Sequence, residues 1–235
     1  MRRFARYLPL CFLALGSMQF ASAQTSFDLN VGFGSFHDKA APSTGYDSVT
    51  FANCTSVQTD PNCLLTSSSS MGGFFLGFGM DMMLKKSYGL GFSWDLTPAR
   101  TNYQPTITIP AAEGGGSETI QYRQHFIDIN GIYAPISTKK VVVKLIPGIG
   151  DAKTGISIYE SQCLSGAICA HGSQPFTSTN HFDLHAGVGV QVYVTDHIFI
   201  RPQFDYHFVP NLNQEFGSNS VIGGMVWLGY SWGDR

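Results

Sequence analysis

Charged side chains are scarce in this sequence. Asp, Glu, Lys and Arg make up 13% of its 235 residues, about half of the roughly 25% that is usual in soluble globular domains. After position 23 the sequence also has no apolar run of about 18 residues, which a membrane-spanning helix requires. A typical soluble domain is therefore a poor interpretation, and spanning helices are excluded.

Basic residues are in the minority once the segment 1–23 is set aside. That segment holds three of the 14 basic residues and none of the 16 acidic ones, which leaves 11 minus 16, or −5. A negative chain is a poor partner for nucleic acid. We therefore expect no nucleic-acid binding.

The segment 1–23 has the features of a cleavable signal peptide. These features are a positive start, a short apolar core and a small-residue cleavage site, at Arg2, Arg3 and Arg6, at 8–15 and at Ala21-Ser22-Ala23. We expect 1–23 to be removed and 24–235 to form one domain, because the remaining chain is long enough for a full core. Export would place the chain in an oxidising compartment.

Cysteines are few. Cys11 falls in the signal peptide, and Cys54, Cys63, Cys163 and Cys169 lie in segments that read as loops. Proximity predicts the disulfides Cys54–Cys63 and Cys163–Cys169. A metal site built from all four thiolates is disfavoured because no C-x2-C spacing occurs.

Alternation of apolar and other residues dominates the rest of the chain. The clearest case is FDLHAGVGVQVYV, at 182–194, in which every second side chain is apolar. A period of two predicts a strand with two different faces, and about a dozen residues suffice for a tilted strand to cross a bilayer. We predict eight such strands, at 26–36, 71–84, 88–97, 119–135, 141–160, 182–194, 198–208 and 220–232.

Short and long connections alternate between these strands. Three short turns occur at 85–87, 137–140 and 195–197, and four long loops at 37–70, 98–117, 161–179 and 209–218. Two irregularities are expected: a bulge near His125 and Phe126, where the alternation shifts, and a disturbance at Pro147, which has no backbone N–H.

The composition of the second face decides which face points inward. A soluble barrel also alternates, with apolar residues inside, but its outer face should then be rich in Lys, Glu and Thr. Here the second face carries many glycines with isolated charges of both signs, which suits a narrow closed interior. A charge facing lipid would cost roughly 2–4 kcal/mol near the midplane. We therefore expect apolar residues outside and Lys144 and Arg201 inside, paired with Asp95, Asp128, Asp183 or Asp205.

Aromatic residues are predicted to form two girdles at the membrane surfaces. Those near the turn side are Phe27, Tyr88, Tyr133, Tyr193, Tyr230 and Trp232, and those near the loop side are Tyr103, Tyr122, Tyr159, Phe182 and Phe208.

Signals for chemistry are weak. The Gly-x-Gly pairs lack the following helix that a phosphate-binding loop needs, so they are interpreted as interior glycines. His185 and His207 are predicted to face inward beside Asp183 and Asp205. A His–Asp hydrolase would also need a nucleophile within reach of the base, and the sequence places none. We favour interior hydrogen bonding and predict no catalytic residue, no metal and no cofactor.

The chain as a whole resembles the eight-stranded outer-membrane protein β-barrel family of the OmpA/OmpX-like type. The resemblance rests on the signal ending Ala21-Ser22-Ala23, on FDLNVGFGSF at the first strand, on FDLHAGVGVQVYV with its TDH turn, and on the closing VWLGYSW. It implies an all-β, antiparallel, up-and-down transmembrane barrel with short periplasmic turns and long external loops.

The same resemblance implies a function. We expect an integral protein of the bacterial outer membrane with a structural or surface-interaction role through its loops and no wide pore. The alternatives are a narrow channel and a lipid-modifying enzyme that uses His185 or His207. Expected partners are outer-membrane lipid, the barrel assembly machinery during insertion and an extracellular ligand at the loops.

Overall fold

The structure, a computed structural model, describes residues 26–38, 71–102, 107–109, 116–164, 168–214 and 216–233. Almost all of these residues are in β-strands. No helix in this part of the chain is long and apolar enough to cross a membrane. The predicted signal peptide, Cys54, Cys63 and Tyr103 lie outside the described residues.

Ten strands and one short 3-10 helix make up the described chain. The strands are β1 (Ser26–Asp38), β2 (Gly72–Lys85), β3 (Tyr88–Leu96), β4 (Thr101–Asn102), β5 (Ile107–Ile109), β6 (Gly116–Ser137), β7 (Val141–Leu164), β8 (Ile168–Tyr193), β9 (Ile198–Phe208) and β10 (Ser220–Gly233); the helix is Leu212–Gln214.

Eight of these strands close into an antiparallel barrel. Their order is β3-β2-β1-β10-β9-β8-β7-β6, and β6 pairs with β3 to complete the ring. The short β4 and β5 pair only with the outer part of β6. Closure leaves no free edge within the ring, which is the condition for strands to cross a membrane. The predicted eight-stranded up-and-down barrel is confirmed.

Apolar side chains point outward, as predicted. Val31 and Leu228 are 53% and 43% exposed, whereas Asp183 and Arg201 are 0% and 3% exposed. Strand β9 alternates without a break along its whole length. The exposed apolar side chains form the surface that meets the lipid.

The two ends of the barrel differ. At the turn end, β2 and β3, β6 and β7, and β8 and β9 are joined by two to four residues. The other end, called the loop end, carries the longer connections. Here the predicted loop 161–179 is wrong, because β7 continues to Leu164 and β8 begins at Ile168. The polar composition of this segment indicated a loop. A strand outside the membrane needs no apolar face, however, so polar composition does not exclude a strand there.

Three strands therefore rise above the others at the loop end. We call the segments 116–126 of β6, 151–164 of β7 and 168–182 of β8 the projecting sheet. The outward face of β7 is apolar up to Ile149 and then carries Asp151 and Lys153, which marks where it leaves the lipid. At about 3.3 Å per residue, the part of β7 beyond that point extends roughly 45 Å along the strand.

The β7–β8 hairpin brings two cysteines together in register. Cys163 lies opposite Cys169, and directly opposed residues in antiparallel strands have Cα atoms about 4.5–5.5 Å apart, a separation that a disulfide can bridge. The disulfide Cys163–Cys169 stays a prediction.

The predicted bulge at His125 and Phe126 is wrong. Both residues stay in continuous register with β3 and β7, and Phe126 points inward. The apolar Phe126 lies on the face of β6 that is otherwise polar, which explains why the alternation looked shifted there. The β6–β7 register shifts instead between Tyr133 and Ile136. The disturbance predicted at Pro147 is wrong, because the register with β6 is the same on both sides of the proline and Pro147 pairs in register with Ala186 of β8.

The girdle at the turn end is confirmed for four aromatics. Tyr88 stacks on Tyr133 at 5.2 Å, Tyr230 packs on Trp232 at 4.5 Å, and all four are exposed. Two other predictions were wrong. Tyr193 points inward, with its hydroxyl 2.6 Å from Gln191 Nε2. Tyr122 is buried and donates a hydrogen bond to the carbonyl of Gly72.

Apolar side chains fill the interior near the loop end. This outer plug includes Val209, Leu212 and Phe216, which fold into the barrel from the β9–β10 connection. Its other members are Phe36, Met71, Phe75, Tyr122, Phe126, Ala152, Ile156, Val221, Met225 and Trp227. A smaller inner plug of Met83, Ile132, Ala134 and Val142 lies at the turn end. Between the two plugs the described interior is mostly polar, although the apolar side chain of Ile146 is also buried there.

Interior glycines make room for large inward side chains. A Cβ placed on Gly32 would lie 2.7 Å from the Trp227 ring, closer than side chains pack in proteins. Trp227 is 1% exposed and also lies against Gly77 on β2, two strands from β10. The interior role predicted for these glycines is borne out by this packing.

Gly32→Ala is expected to destabilise the barrel by about 1–3 kcal/mol, because the added methyl group overpacks the lumen against Trp227. The measurement is the urea midpoint of unfolding of protein refolded in detergent micelles. Gly155→Ala is the matched control, since its nearest neighbour would be 3.9 Å away. Equal midpoints for the two variants would contradict the packing account.

Candidate functional site: the polar belt

Polar and charged side chains form a belt between the two plugs. Six aspartates, one lysine, one arginine and two histidines among the described residues point into it and are at most 6% exposed: Asp28, Asp81, Asp95, Asp128, Asp183, Asp205, Lys144, Arg201, His185 and His207. They come from seven of the eight barrel strands. Alternation alone places them inside, because each occupies an inward position of its strand.

Lys144 ties opposite walls of the barrel together. Its Nζ lies 2.9 Å from Asp28 Oδ2 and 2.8 Å from Asp81 Oδ2. In the ring order β7 lies four strands from β1 in either direction, so this side chain crosses the full lumen. Gln191 Nε2 also donates to Asp28 Oδ2, at 3.2 Å.

Arg201 completes this ion-pair cluster. Its Nη1 donates to Asp81 Oδ2, and the guanidinium lies 5.4 Å from the centre of the Trp227 ring, a cation–π arrangement. The prediction that Lys144 and Arg201 lie inside is confirmed, but the ion-pair partners were wrong. They are Asp28 and Asp81, because a long side chain reaches across the lumen and strand neighbours do not limit it.

The four other aspartates lie with the histidines. His185 Nε2 is 2.9 Å from Asp205 Oδ1, and His185 Nδ1 is 2.8 Å from Asn130 Oδ1. Both nitrogens of the ring therefore face oxygen atoms. Inside the belt, His185 links Asp205 on β9 to Asn130 on β6.

His207 has a different environment. Its Nδ1 is 2.6 Å from Asp183 Oδ2, while its ring stacks on His185 at 4.6 Å and on Phe126 at 4.3 Å. The second nitrogen, Nε2, is buried without a hydrogen-bond partner. The inward position predicted for both histidines is confirmed, with Asp183 and Asp205 beside them.

No described serine reaches a histidine of the belt. Ser93 Oγ accepts a hydrogen bond from Asn130 Nδ2 at 3.0 Å, so Asn130 stands between this hydroxyl and His185. The outer plug covers the histidines, since Phe36 and Phe126 pack against His207. A nucleophile–base contact of the hydrolytic type is therefore not present among the described residues of the belt.

One group in the belt has the geometry of metal ligands. Asp128, Asp183 and His207 each offer a ligand atom, and these atoms lie within 4.8 Å of one another. Sequence spacing could not indicate this group, because the three side chains come from β6, β8 and β9 and meet only through the barrel.

The sequence matches the family model described as outer membrane protein beta-barrel domain over residues 8–232. The chain belongs to this family and is an integral β-barrel protein of the bacterial outer membrane. Its short turns face the periplasm and its loop end faces outward. No curated protein matches the sequence.

Several solved structures share the fold at low identity. Ail, the attachment invasion locus protein of Yersinia pestis, solved with the heparin analogue sucrose octasulfate, has 12% identity and a TM-score of 0.48 over 89% of this chain and 99% of Ail. OprG from Pseudomonas aeruginosa has 13% identity and a TM-score of 0.48 over 91% and 99%. Neisserial surface protein A has 12% and 0.44 over 88% and 95%. Likenesses this distant carry no argument about function.

Lys144→Met is expected to lower the free energy of unfolding by roughly 3–5 kcal/mol, because the change leaves the buried carboxylate of Asp28 without its cation. The unfolding midpoint in urea measures the effect. Lys139→Met, in an exposed turn, should change stability by less than about 0.5 kcal/mol. If the two variants unfold at the same midpoint, the cross-lumen ion pair does not stabilise the barrel.

Proposed function

We propose that this outer-membrane protein acts in surface interaction and that the projecting sheet is its binding surface. The observation that carries the proposal is the length of three adjacent strands, which have 22, 24 and 26 residues in β6, β7 and β8, against 9 to 14 in the other five strands of the ring. A barrel needs only about 9–11 residues per strand to cross the membrane. The additional length stands outside the cell.

The projecting sheet offers a backbone edge for recognition. Pairing between β8 and β9 ends at Leu184 and Phe208, and beyond that level the described residues pair β8 with β7 alone. A strand edge presents unpaired N–H and C=O groups that an extended peptide can join. We propose that the partner is an extended peptide segment that adds to this edge, with the predicted disulfide Cys163–Cys169 holding the hairpin tip.

Export through the cleavable signal 1–23 and insertion by the barrel assembly machinery are part of this proposal. The route is the one that outer-membrane location requires. Outer-membrane lipid then surrounds the apolar surface of the barrel.

A role as a wide channel has little support. The outer plug, the polar belt and the inner plug follow one another along the lumen, and an eight-stranded barrel leaves an interior that side chains can fill. The enzymatic alternative has less support still, since His185 and His207 are buried beneath the aromatic rings of the outer plug. A lipid substrate has no approach to them through the described interior.

Excision of the hairpin tests the binding surface. The segment 157–176 is replaced by Asn-Gly, a two-residue hairpin turn, which joins Ile156 and Thr177 at paired positions. Peptides selected from a random phage-displayed library on the wild-type barrel in lipid nanodiscs are expected to bind this variant much more weakly, because the excision removes 168–176 and leaves only 177–183 of the β8 edge that is not paired with β9. The measurement is phage retention on immobilised nanodiscs.

The matched control removes a segment of equal length from a different external connection. Excision of 46–65 deletes the other cysteine pair, and it should keep peptide binding. Heat-dependent gel mobility verifies that both variants are folded. Undiminished binding after excision of 157–176, or failure of the library to yield any binder, argues against the projecting sheet as a binding surface.

Conductance tests the absence of a wide pore. Wild-type protein in planar bilayers is expected to give no porin-sized current steps, because the outer plug closes the lumen. Phe36→Ala removes a fully buried ring of that plug, but the polar belt and the inner plug still fill the lumen, so this variant should give no porin-sized steps either. Large steps from the wild type would favour the channel alternative.

A further inference from the structure

The histidine side of the belt contains polar atoms that the protein itself does not satisfy. Both carboxylate oxygens of Asp128, Oδ1 of Asp183 and Nε2 of His207 are buried without a hydrogen-bond partner. All three residues are at most 1% exposed. Buried polar groups are nearly always paired, and those left unpaired in a native structure call for an explanation.

No described lysine or arginine accompanies this group. Among the described residues, Lys144 and Arg201 lie beside Asp28 and Asp81. No described lysine or arginine forms a salt bridge with Asp128 or Asp183, and the partner of Asp183 is His207. Carboxylates that converge beside an imidazole without such a partner are typical ligands of a divalent ion.

We propose that Asp128, Asp183 and His207 bind a divalent transition-metal ion of the zinc type inside the barrel. Two carboxylates and one imidazole are hard and borderline donors that suit Zn²⁺ better than Mg²⁺ or Ca²⁺, which prefer oxygen alone. Donors about 2.1 Å from one ion lie at most about 4.2 Å apart. The ligand atoms lie within 4.8 Å of one another, so shifts of no more than roughly half an ångström bring them within this range.

The neighbours of the three ligands are already arranged to hold them. Asp183 Oδ2 and His207 Nδ1 already lie 2.6 Å apart, so both atoms would bind the ion from this side of the ring, in place of the proton that they share. Stacking on His185 and Phe126 fixes the plane of the imidazole. The ion would link β6, β8 and β9 and stabilise the closed barrel.

The outer plug covers the three ligands, so the ion would enter while the barrel closes. The test therefore refolds the full barrel from denaturant into detergent micelles with Zn²⁺, with Mg²⁺ or with a chelator. Bound metal is measured by mass spectrometry after desalting, and thermal unfolding is followed by gel mobility. We expect about one zinc per chain with little magnesium, and a higher unfolding temperature in zinc than in chelator.

Asp128→Asn separates a metal site from an empty carboxylate cluster. With a metal site, the variant loses at least about nine-tenths of the bound zinc and its unfolding temperature no longer responds to zinc. Without one, wild type and variant hold equally little zinc, and the variant is as stable as the wild type or more so, because a buried charge has been removed.

Asp28→Asn is the control. This residue is equally buried and lies in the same belt, but it pairs with Lys144, so the variant should lose stability and keep zinc. His207→Gln provides a second ligand variant if Asp128→Asn fails to fold. Equal zinc content in the wild type and in either ligand variant overturns the proposal, as does wild-type protein that refolds without retaining zinc.

Discussion

The width of an eight-stranded ring governs what this protein can contain. Strands in lipid must satisfy every backbone group within the ring, and eight of them enclose a space only wide enough for side chains. Large inward rings therefore need small residues on the strands beside them: Trp227 lies against Gly32 and Gly77, and Phe199 covers Gly229. The same width allows a single lysine to reach from β7 to β1 and β2. The packing of rings against glycines and the ion pairs across the lumen both follow from the width of the ring.

Burial of charge in so narrow a space imposes a second constraint. Removal of a charged group from water costs several kcal/mol, and well-placed ion pairs and hydrogen bonds must compensate for this cost. The ion-pair cluster meets this requirement, since Asp81 is shared by Lys144 and Arg201. On the histidine side, no described lysine or arginine forms a salt bridge with Asp128 or Asp183, and Asp183 contacts His207 instead. The rings of Phe36 and Phe126 cover His207. The two halves of the belt therefore differ in the groups that accompany their carboxyls.

The fold and the orientation of its faces could be predicted from sequence because a period of two acts locally, residue by residue, in every strand. The polar belt was predicted in its membership but not in its pairing. Lys144 contacts residues 63 and 116 positions away, and the choice among six inward aspartates depends on the stagger of strands around the ring.

The outer plug was missed because Phe75 and Phe126 break the expected polar interior, and because Leu212 and Phe216 enter from a connection that reads as an ordinary loop. The length of β7 was predicted to within four residues, 141–160 against Val141–Leu164. The length of β8 was missed, because hydrophobic alternation begins only at 182 whereas backbone pairing with β7 begins at Ile168.

Three strands project at the loop end because the constraints on a strand inside the membrane differ from those above it. Within the membrane, lipid outside and a filled lumen inside dictate the residues of every strand. Above the membrane, neither constraint applies to the projecting sheet, whose sequence is free to change as long as β7 keeps its register with its two neighbours. The filled barrel gives this sheet a rigid base, because the outer plug packs residues of the β9–β10 connection against β1, β2 and β6. A sealed lumen is therefore compatible with a surface-binding role: the interior supplies stability, and recognition is left to backbone and side chains that the barrel does not need.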